Sequence, residues 1–198
     1  MALSPATLGN LIYSNMQAKG AKGSNLLAFC NAVGAGIVMS IVGKAFATID
    51  TGLTIGPGAG IGTGITALQS DVMKSTALQE MPTRGVNAEK LMDSIMSATV
   101  NHLLEATLVS TNTPVYLGAG IVTVGTIAVV ESEMASNIDS QLLNAKAHGK
   151  NRIVLAKAIA AGVAREIVSA GTGAVAITGH PIIDPPVPGV GAGVGIIS

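Results

Sequence analysis

One cysteine and three histidines are the side chains of this sequence best suited to nucleophilic catalysis or metal binding. They are Cys30, His102, His148 and His180. A metal site needs several converging ligands, and the acidic residues nearest the histidines, Glu105 and Asp184, form no recognised ligand spacing with them. Cys30 lies in an apolar run, where a cysteine is typically a small core residue. We therefore predict no metal ion and no other cofactor.

Glycine-rich segments are a second chemical possibility, because glycine loops can cradle phosphate groups. Segments 56–62 and 189–195 lack the G-x-G-x-x-G spacing between a strand and a helix, and the sequence contains no G-x-x-x-x-G-K-[ST]. No serine lies in a G-x-S-x-G turn. The glycine-rich segments are better explained as turns and extended arms, and we predict that the protein is not an enzyme.

The pattern glycine, any residue, asparagine opens three similar segments. Its copies begin at Gly23, Gly85 and Gly149 and end at Asn25, Asn87 and Asn151, so their spacings are 62 (85 − 23) and 64 (149 − 85) residues. The positions that follow align without a gap, as Phe29/Leu91/Leu155, Val33/Ile95/Ile159, Ile37/Thr99/Val163, Ile41/Leu103/Ile167 and Val42/Leu104/Val168. A glycine can end one helix and an asparagine can cap the next. The repeat therefore predicts a pair of helices joined by a tight turn in each segment.

The predicted fold class is α+β, with three tandem modules over residues 1–65, 66–129 and 130–198. Each module has a first helix, a turn, a second helix and a β-hairpin or extended glycine-rich arm. In the first module the helices are expected over roughly residues 4–19 and from Leu26 to about Phe46. The sequence leaves open whether the modules surround a pseudo-threefold axis or lie side by side.

The arms are the predicted contact surfaces, because an extended arm can add a strand to the sheet edge of a neighbour. The last arm contains four prolines, at positions 181, 185, 186 and 188, and is expected to lie along another subunit. The residues predicted to make contacts are Ile55, Ile61, Tyr116, Leu117, Ile121, Ile182, Ile183, Val187, Val190, Val194 and Ile196.

The composition favours a chain whose surface is covered by neighbours. Of its residues 48% are hydrophobic and 11% are charged, against roughly 25% charged in an average protein. We therefore expect a homo-oligomer. The 11 basic and 11 acidic residues cancel, which argues against nucleic acid as a main partner. The N-terminus lacks the pattern of a signal peptide.

A membrane role is the main alternative of another class. Residues 106–130 carry no charge over a length that could span a bilayer as a helix. Asn112, Pro114 and three glycines interrupt this stretch, and flanking basic residues show no one-sided bias. We predict that a membrane is not the partner, and keep a membrane-associated protein as the alternative.

The opening MALSPATLGNLIYSNMQAKG, the repeated helix pair and the arms containing GAGIG, GAGIV and GAGVG resemble small virion structural proteins of tailed bacteriophages. Such proteins are found at the neck, the tail or the capsid surface. The resemblance implies an assembly role in the head-to-tail or tail region, with other virion proteins and further copies of this chain as partners. It implies location in the virion after assembly in the host cytoplasm, and capsid decoration as a second possibility.

Overall fold

The computed structural model describes residues 3–53, 58–63, 65, 67–82, 85–115, 119–149, 151–170, 173–178 and 188–197. In this part of the chain, two helices followed by two strands occur three times. The helices are α1 (Pro5–Ala18), α2 (Leu26–Ile41), α3 (Ser70–Gln79), α4 (Ala88–Glu105), α5 (Glu131–Asn144) and α6 (Arg152–Ala170). The strands are β1 (Ala45–Leu53), β2 (Gly58–Thr63), β3 (Thr107–Val115), β4 (Ala119–Ala128), β5 (Gly173–Thr178) and β6 (Pro188–Ile197).

Helix α1 shows how local sequence sets the bounds of a helix. The Ser4 hydroxyl accepts a hydrogen bond from the backbone N–H of Thr7 at 3.4 Å, and proline occupies the first helical position. Leu8, Ile12 and Met16 recur every four residues and form the buried stripe. The helix stops before Gly20, whose φ of +81° is readily adopted only by glycine.

The six helices form a closed ring in which each packs against the next and α6 packs against α1. Helices α2, α4 and α6, the inner helices, are buried over most of their circumference, and α2 also contacts α4 across the ring. Helices α1, α3 and α5, the outer helices, bury one stripe each. The ring therefore places three helix pairs around a pseudo-threefold axis, an arrangement that the sequence left open.

The aligned positions of the repeat form the centre of the core. Val33, Ile95 and Ile159 are each 0% exposed, and the other aligned sets that face the ring interior are equally buried. Thr99 stands where the other modules have Ile37 and Val163, and its hydroxyl donates to the Ile95 carbonyl oxygen at 2.8 Å. The hydroxyl of Thr99 is thus hydrogen-bonded within its own helix, and the threonine is buried at the same position as its apolar counterparts.

The six strands form one closed antiparallel barrel in the order β1-β2-β3-β4-β5-β6. Strand β6 returns to pair with β1 over nine residue pairs, from Ala45 opposite Ile196 to Leu53 opposite Pro188. The register of β3 and β4 shifts between Thr111 and Asn112, which marks a bulge or irregularity in that pairing. Each strand therefore has a hydrogen-bonded neighbour on both sides.

The predicted α+β fold class, with a hairpin or extended arm on each module, is wrong. The chain is mostly helical, and among the core side chains that the structure describes only Ile127 belongs to a strand. Within the described residues, no pair of strands stands apart as an arm. A lone hairpin would leave unpaired edges and be marginally stable, whereas closure of six strands satisfies every edge. The module boundaries stay a prediction.

The direction of the chain defines two ends of the molecule. Each inner helix runs toward the sheet and is followed by a strand. These strands, β1, β3 and β5, begin at Ala45, Thr107 and Gly173. The first residues of the inner helices therefore lie at the opposite end, which we call the turn end, formed by the described residues of the helix connections 19–25, 80–87 and 145–151. The last residues of β1, β3 and β5 and the first residues of β2, β4 and β6 lie at the other extreme of the sheet, which we call the tip.

Substitution of Gly36 tests how closely α2 packs against α3 in the ring. A Cβ atom at this position would lie 2.7 Å from the Met73 carbonyl oxygen and 2.8 Å from Ala77 Cβ of α3. Helix propensity alone would make Gly36→Ala stabilising by roughly 0.5–1 kcal/mol. We expect the opposite sign, a loss of about 1–3 kcal/mol in the free energy of unfolding, because backbone must move. Chemical denaturation measures it.

The matched control is Gly85→Ala, since a Cβ at Gly85 has no neighbouring atom within 4 Å. A stabilised Gly36→Ala protein would show that α2 and α3 do not approach as closely as described.

Candidate functional site

The three Gly-x-Asn segments form the same turn at the start of each inner helix. The N–H three residues after the glycine donates to the glycine carbonyl oxygen, from Leu26 at 3.2 Å, Ala88 at 3.0 Å and Arg152 at 3.1 Å. Asn25 has φ −101° and ψ 8°, and Asn87 has φ −102° and ψ 8°, the values of the third residue of a type I turn. The repeated pattern therefore corresponds to a repeated β-turn.

Backbone groups rather than asparagine side chains start α2 and α4, and the same backbone hydrogen bond is present at the start of α6. The side chains of Asn25 and Asn87 make no capping hydrogen bond to their helices. The asparagine carbonyls accept the first helical hydrogen bonds, from Phe29 at 2.9 Å, Leu91 at 3.0 Å and Leu155 at 2.8 Å, the last at Asn151. The predicted marks of the repeat thus lie together at the turn end, but through a different mechanism from side-chain capping.

An apolar depression opens between these turns, and we call it the turn-end pit. It consists of two adjoining cavities of about 220 and 360 Å³ that share Leu91, Leu142 and Ala147 as walls. Met16 and Leu155 complete the apolar lining of the smaller cavity, so all three modules contribute to the pit. An apolar cavity with a few polar groups at its margin is the usual form of a binding site.

The margin of the pit carries positive charge. Lys90 and Lys146 line the larger cavity and are exposed. Arg152 lines the smaller cavity, and its Nε donates to Asp139 Oδ1 at 2.6 Å, so its charge is already paired. Among the described residues neither lysine has an acidic partner within ion-pair distance. The pit therefore suits an apolar group that stands next to a negative charge.

A second polar feature, which the sequence reasoning missed, is a set of three buried residues on the inner helices. Ser40, His102 and Glu166 are buried and are separated by 62 (102 − 40) and 64 (166 − 102) residues. They therefore occupy one aligned position of the repeat. The signal in the sequence is the spacing of 62 and 64 residues, which is the spacing of the Gly-x-Asn repeat.

Each member of this set faces a different outer helix. The Glu166 carboxylate accepts the Ser4 backbone N–H, at the start of α1, at 3.2 Å. The carboxylate of Glu133, in the first turn of α5, interacts electrostatically with the His102 imidazole. Ser40 lies one helical turn after Gly36, the residue that touches α3. A serine, a histidine and a carboxylate thus occupy the equivalent position on the three inner helices.

Two members of the set, Ser40 and His102, carry a buried polar atom without a hydrogen-bond partner among the described residues, and we consider His102 because it can titrate. Its side chain is 5% exposed, and Nε2 has no hydrogen-bond partner in the part of the chain that the structure describes. Burial lowers the pKa of His102, and the carboxylates of Glu133 and Glu105 oppose that effect. The neutral imidazole is therefore the form that the folded ring accommodates best.

The other candidate catalytic or metal-binding side chains are His148, His180 and Cys30. His148 is exposed at the turn end, and His180 lies outside the described residues. Cys30 is buried in α2, and burial raises the pKa of its thiol to about 11, so the thiol stays protonated at neutral pH. Within the described residues no group of three or more histidine, cysteine, aspartate or glutamate side chains could hold a metal ion.

The residues predicted to form contact arms fall into two groups. Ile55, Tyr116, Leu117, Ile182, Ile183 and Val187 lie outside the described residues. Ile61, Ile121, Val190, Val194 and Ile196 belong to β2, β4 and β6, and their backbones pair inside the closed sheet. Val194, for example, lies opposite both Ala47 and Ala176. Addition of these segments to a neighbour's sheet would require opening the ring of strands.

The uncharged stretch 106–130 does not form one long helix, because most of it lies in β3 and β4. Among the described helices, none combines the length and the apolar character needed to cross a membrane.

Comparison with protein-family models gave no match, and neither did comparison with curated proteins or with solved structures.

A pair of substitutions compares the start of the outer helix α1 with the start of the inner helix α4. Ser4→Ala removes a side-chain cap and should cost about 1 kcal/mol of stability. Asn87→Ala should cost less than half of that, because the Asn87 side chain makes no capping bond to α4. Thermal unfolding of both variants beside the parent protein measures the difference. Equal losses would show that Asn87 caps its helix through its side chain in solution.

The burial of His102 predicts that the folded protein loses stability as the pH falls. The pKa of His102 is lowered in the folded state, whereas in the unfolded chain it should lie near the usual value of about 6.5. The unfolded state then binds more protons, so stability is fully present above about pH 6.5 and is lost as pH falls toward the folded pKa. His102→Leu should flatten this part of the profile, measured by urea denaturation from neutral to mildly acidic pH.

The control for this profile is His148→Leu, which changes an exposed histidine. The interpretation fails if His148→Leu flattens the profile and His102→Leu leaves it unchanged.

Proposed function

We propose that this protein is a structural subunit of a tailed-phage particle. It acts by packing against neighbouring subunits at a position of threefold symmetry, or of a higher symmetry that is a multiple of three. The observation that carries the proposal is the closed ring of three like helix pairs. One chain with three similar faces can contact three like neighbours around an axis without a change of conformation. The resemblance of the sequence to small virion proteins supports the same role.

A surface that offers like contacts lies beside the sheet, at the ends of the inner helices. Val42 and Leu104 occupy the same aligned position and are 43% and 42% exposed. Val130, just before α5, does not belong to this aligned position but is also exposed, at 45%. We call these three residues the shoulder. Large apolar side chains that are exposed at repeated positions are typical of protein contact surfaces.

The head-to-tail or tail region is the position that we propose for the subunit. An axis through the ring and the closed sheet can coincide with the axis of a tail, so the three modules would face equivalent surroundings. Low charge agrees with burial of the outer surface by neighbours, since 11% of the residues are charged.

Capsid decoration is a second candidate, and the pseudo-threefold ring favours it as well. A ring of this kind could sit over a local threefold position of the capsid and use the shoulder to hold three capsid subunits together. The two candidates differ in copy number. A decoration protein would increase in proportion to the capsid protein, whereas a subunit on the tail axis would be present in far fewer copies.

Quantitative mass spectrometry of purified particles of the encoding phage tests both positions. We expect the protein in the particles, with a ratio to the major capsid protein that identifies the position. Absence from particles, or recovery of the chain with host membranes, would overturn the proposal.

The shoulder gives a sharper variant test. Val42→Asp combined with Leu104→Asp should reduce incorporation into particles at least about tenfold, because two apolar contacts would carry charge. Val72→Asp is the control, because Val72 is exposed on α3 but is not part of the shoulder. Unchanged incorporation of the double variant, with normal helix content, would show that the shoulder is not the contact surface.

A further inference from the structure

We infer that the turn-end pit binds the segment 179–187 of a second copy of the chain, so that copies associate head to tail. This inference rests on the proposed structural role and names a partner for a surface that the role itself does not require. Its basis is the pit, the position of the segment in the fold and the charges that the two would bring together.

The pit is an apolar surface without an occupant from its own chain among the described residues. Leu91 and Leu155 remain partly exposed in it, although both pack against the core at their bases. Lys90 and Lys146 stand at its margin without described acidic partners. The complementary ligand is a short segment with apolar side chains next to a carboxylate.

Segment 179–187 has this composition. It reads Gly-His-Pro-Ile-Ile-Asp-Pro-Pro-Val, so Ile182 and Ile183 directly precede Asp184, its one acidic residue. Three prolines restrict the backbone, which lowers the entropy lost when such a segment is ordered on binding. The connections at the corresponding places of the other two strand pairs, 54–57 and 116–118, are shorter and contain no acidic residue.

The segment cannot reach the pit of its own chain. The residues that flank it, Thr178 and Pro188, end β5 and begin β6 at the tip, whereas the pit lies at the turn end. The 19 residues of α6 span about 28 Å between these ends. The six residues of β5 add roughly 20 Å in the same direction before strand tilt. An occupant with this sequence must therefore come from a second molecule.

Association of this kind is heterologous, because it joins a tip to a pit and not two equal surfaces. A heterologous contact continues until it closes into a ring or is capped. The described lining of the pit comes from α1, α4, α5 and α6 with their connections, at the turn end. Because the tip and the turn end are opposite ends of the molecule, successive copies would stack end to end, which extends the proposed structural role into a linear assembly.

Charge reversal tests the contact with the full chain. Asp184→Lys should abolish self-association through repulsion at the pit, and Lys90→Asp combined with Lys146→Asp should abolish it through repulsion at the tip segment. An equimolar mixture of the two variants should associate again, because every tip then meets a pit of opposite charge. Sedimentation velocity over a range of protein and salt concentrations measures these states.

Lys22→Asp is the matched control, since Lys22 is an exposed lysine of the turn end that does not line the pit. It should self-associate like the parent chain. A parent chain that stays monomeric at all concentrations would overturn the inference, and so would a mixture of the two reversed variants that fails to associate.

A synthetic peptide of residues 178–188 gives a second measurement that does not depend on the folding of the tip variants. Binding to the full chain, followed by calorimetry, should weaken about tenfold in the lysine double variant, as expected for loss of a charge-assisted contact. No binding of the peptide would overturn the inference. Binding of the chain to phosphatidylglycerol vesicles instead, lost in the same variant, would assign the pit to a membrane surface.

These outcomes are separate from those of the proposed function. A chain that is present in particles but does not self-associate retains its structural role and loses only the proposed occupant of the pit.

Discussion

Ring closure is the constraint on which this structure depends. The first and last helices pack against each other, and the first and last strands pair over nine residue pairs, so neither layer has a free end. A helix pair alone would leave the apolar sides of its inner helix uncovered, and a hairpin alone would leave two edges unpaired. Three copies of the same unit remove both problems at once. The low charge of the chain is compatible with such a body, because closure hides backbone and apolar surface together.

The helical part could be predicted well from the sequence, because its signals are local. The serine and proline at the start of α1 and its four-residue apolar spacing predicted a helix over roughly residues 4–19, and α1 spans Pro5–Ala18. The second helix was predicted too long, to about Phe46, whereas α2 ends at Ile41 and Ala45 already begins β1. The apolar run continues through this boundary without a change of pattern. Gly43, with a φ of +79°, is the residue that marks the end of the helix.

Closure itself could not be predicted, because the contacts that create it join residues far apart in sequence. Ala45 pairs with Ile196, and Ser4 donates to Glu166, and neither pair leaves a local pattern. The candidate sites also differ in whether a local sequence pattern identifies them. The turns at Asn25, Asn87 and Asn151 were recognisable from their spacing, although the hydrogen bonds belong to the backbone. The pit needed the three-dimensional arrangement, since its walls come from four helices.

The closed ring also has a consequence for the order in which the modules are connected. Strand β2 leads into α3 and β4 leads into α5 at the junction between sheet and helices. The third equivalent junction lies between Ile197 at the end of β6 and the start of α1, where Ser4 contacts Glu166 of α6. The described chain is therefore a ring with a single break, and the break could be moved to either of the other junctions without changing a packed contact. The packing of the three modules therefore does not depend on which of them comes first in the chain, because each module contacts the other two in the ring.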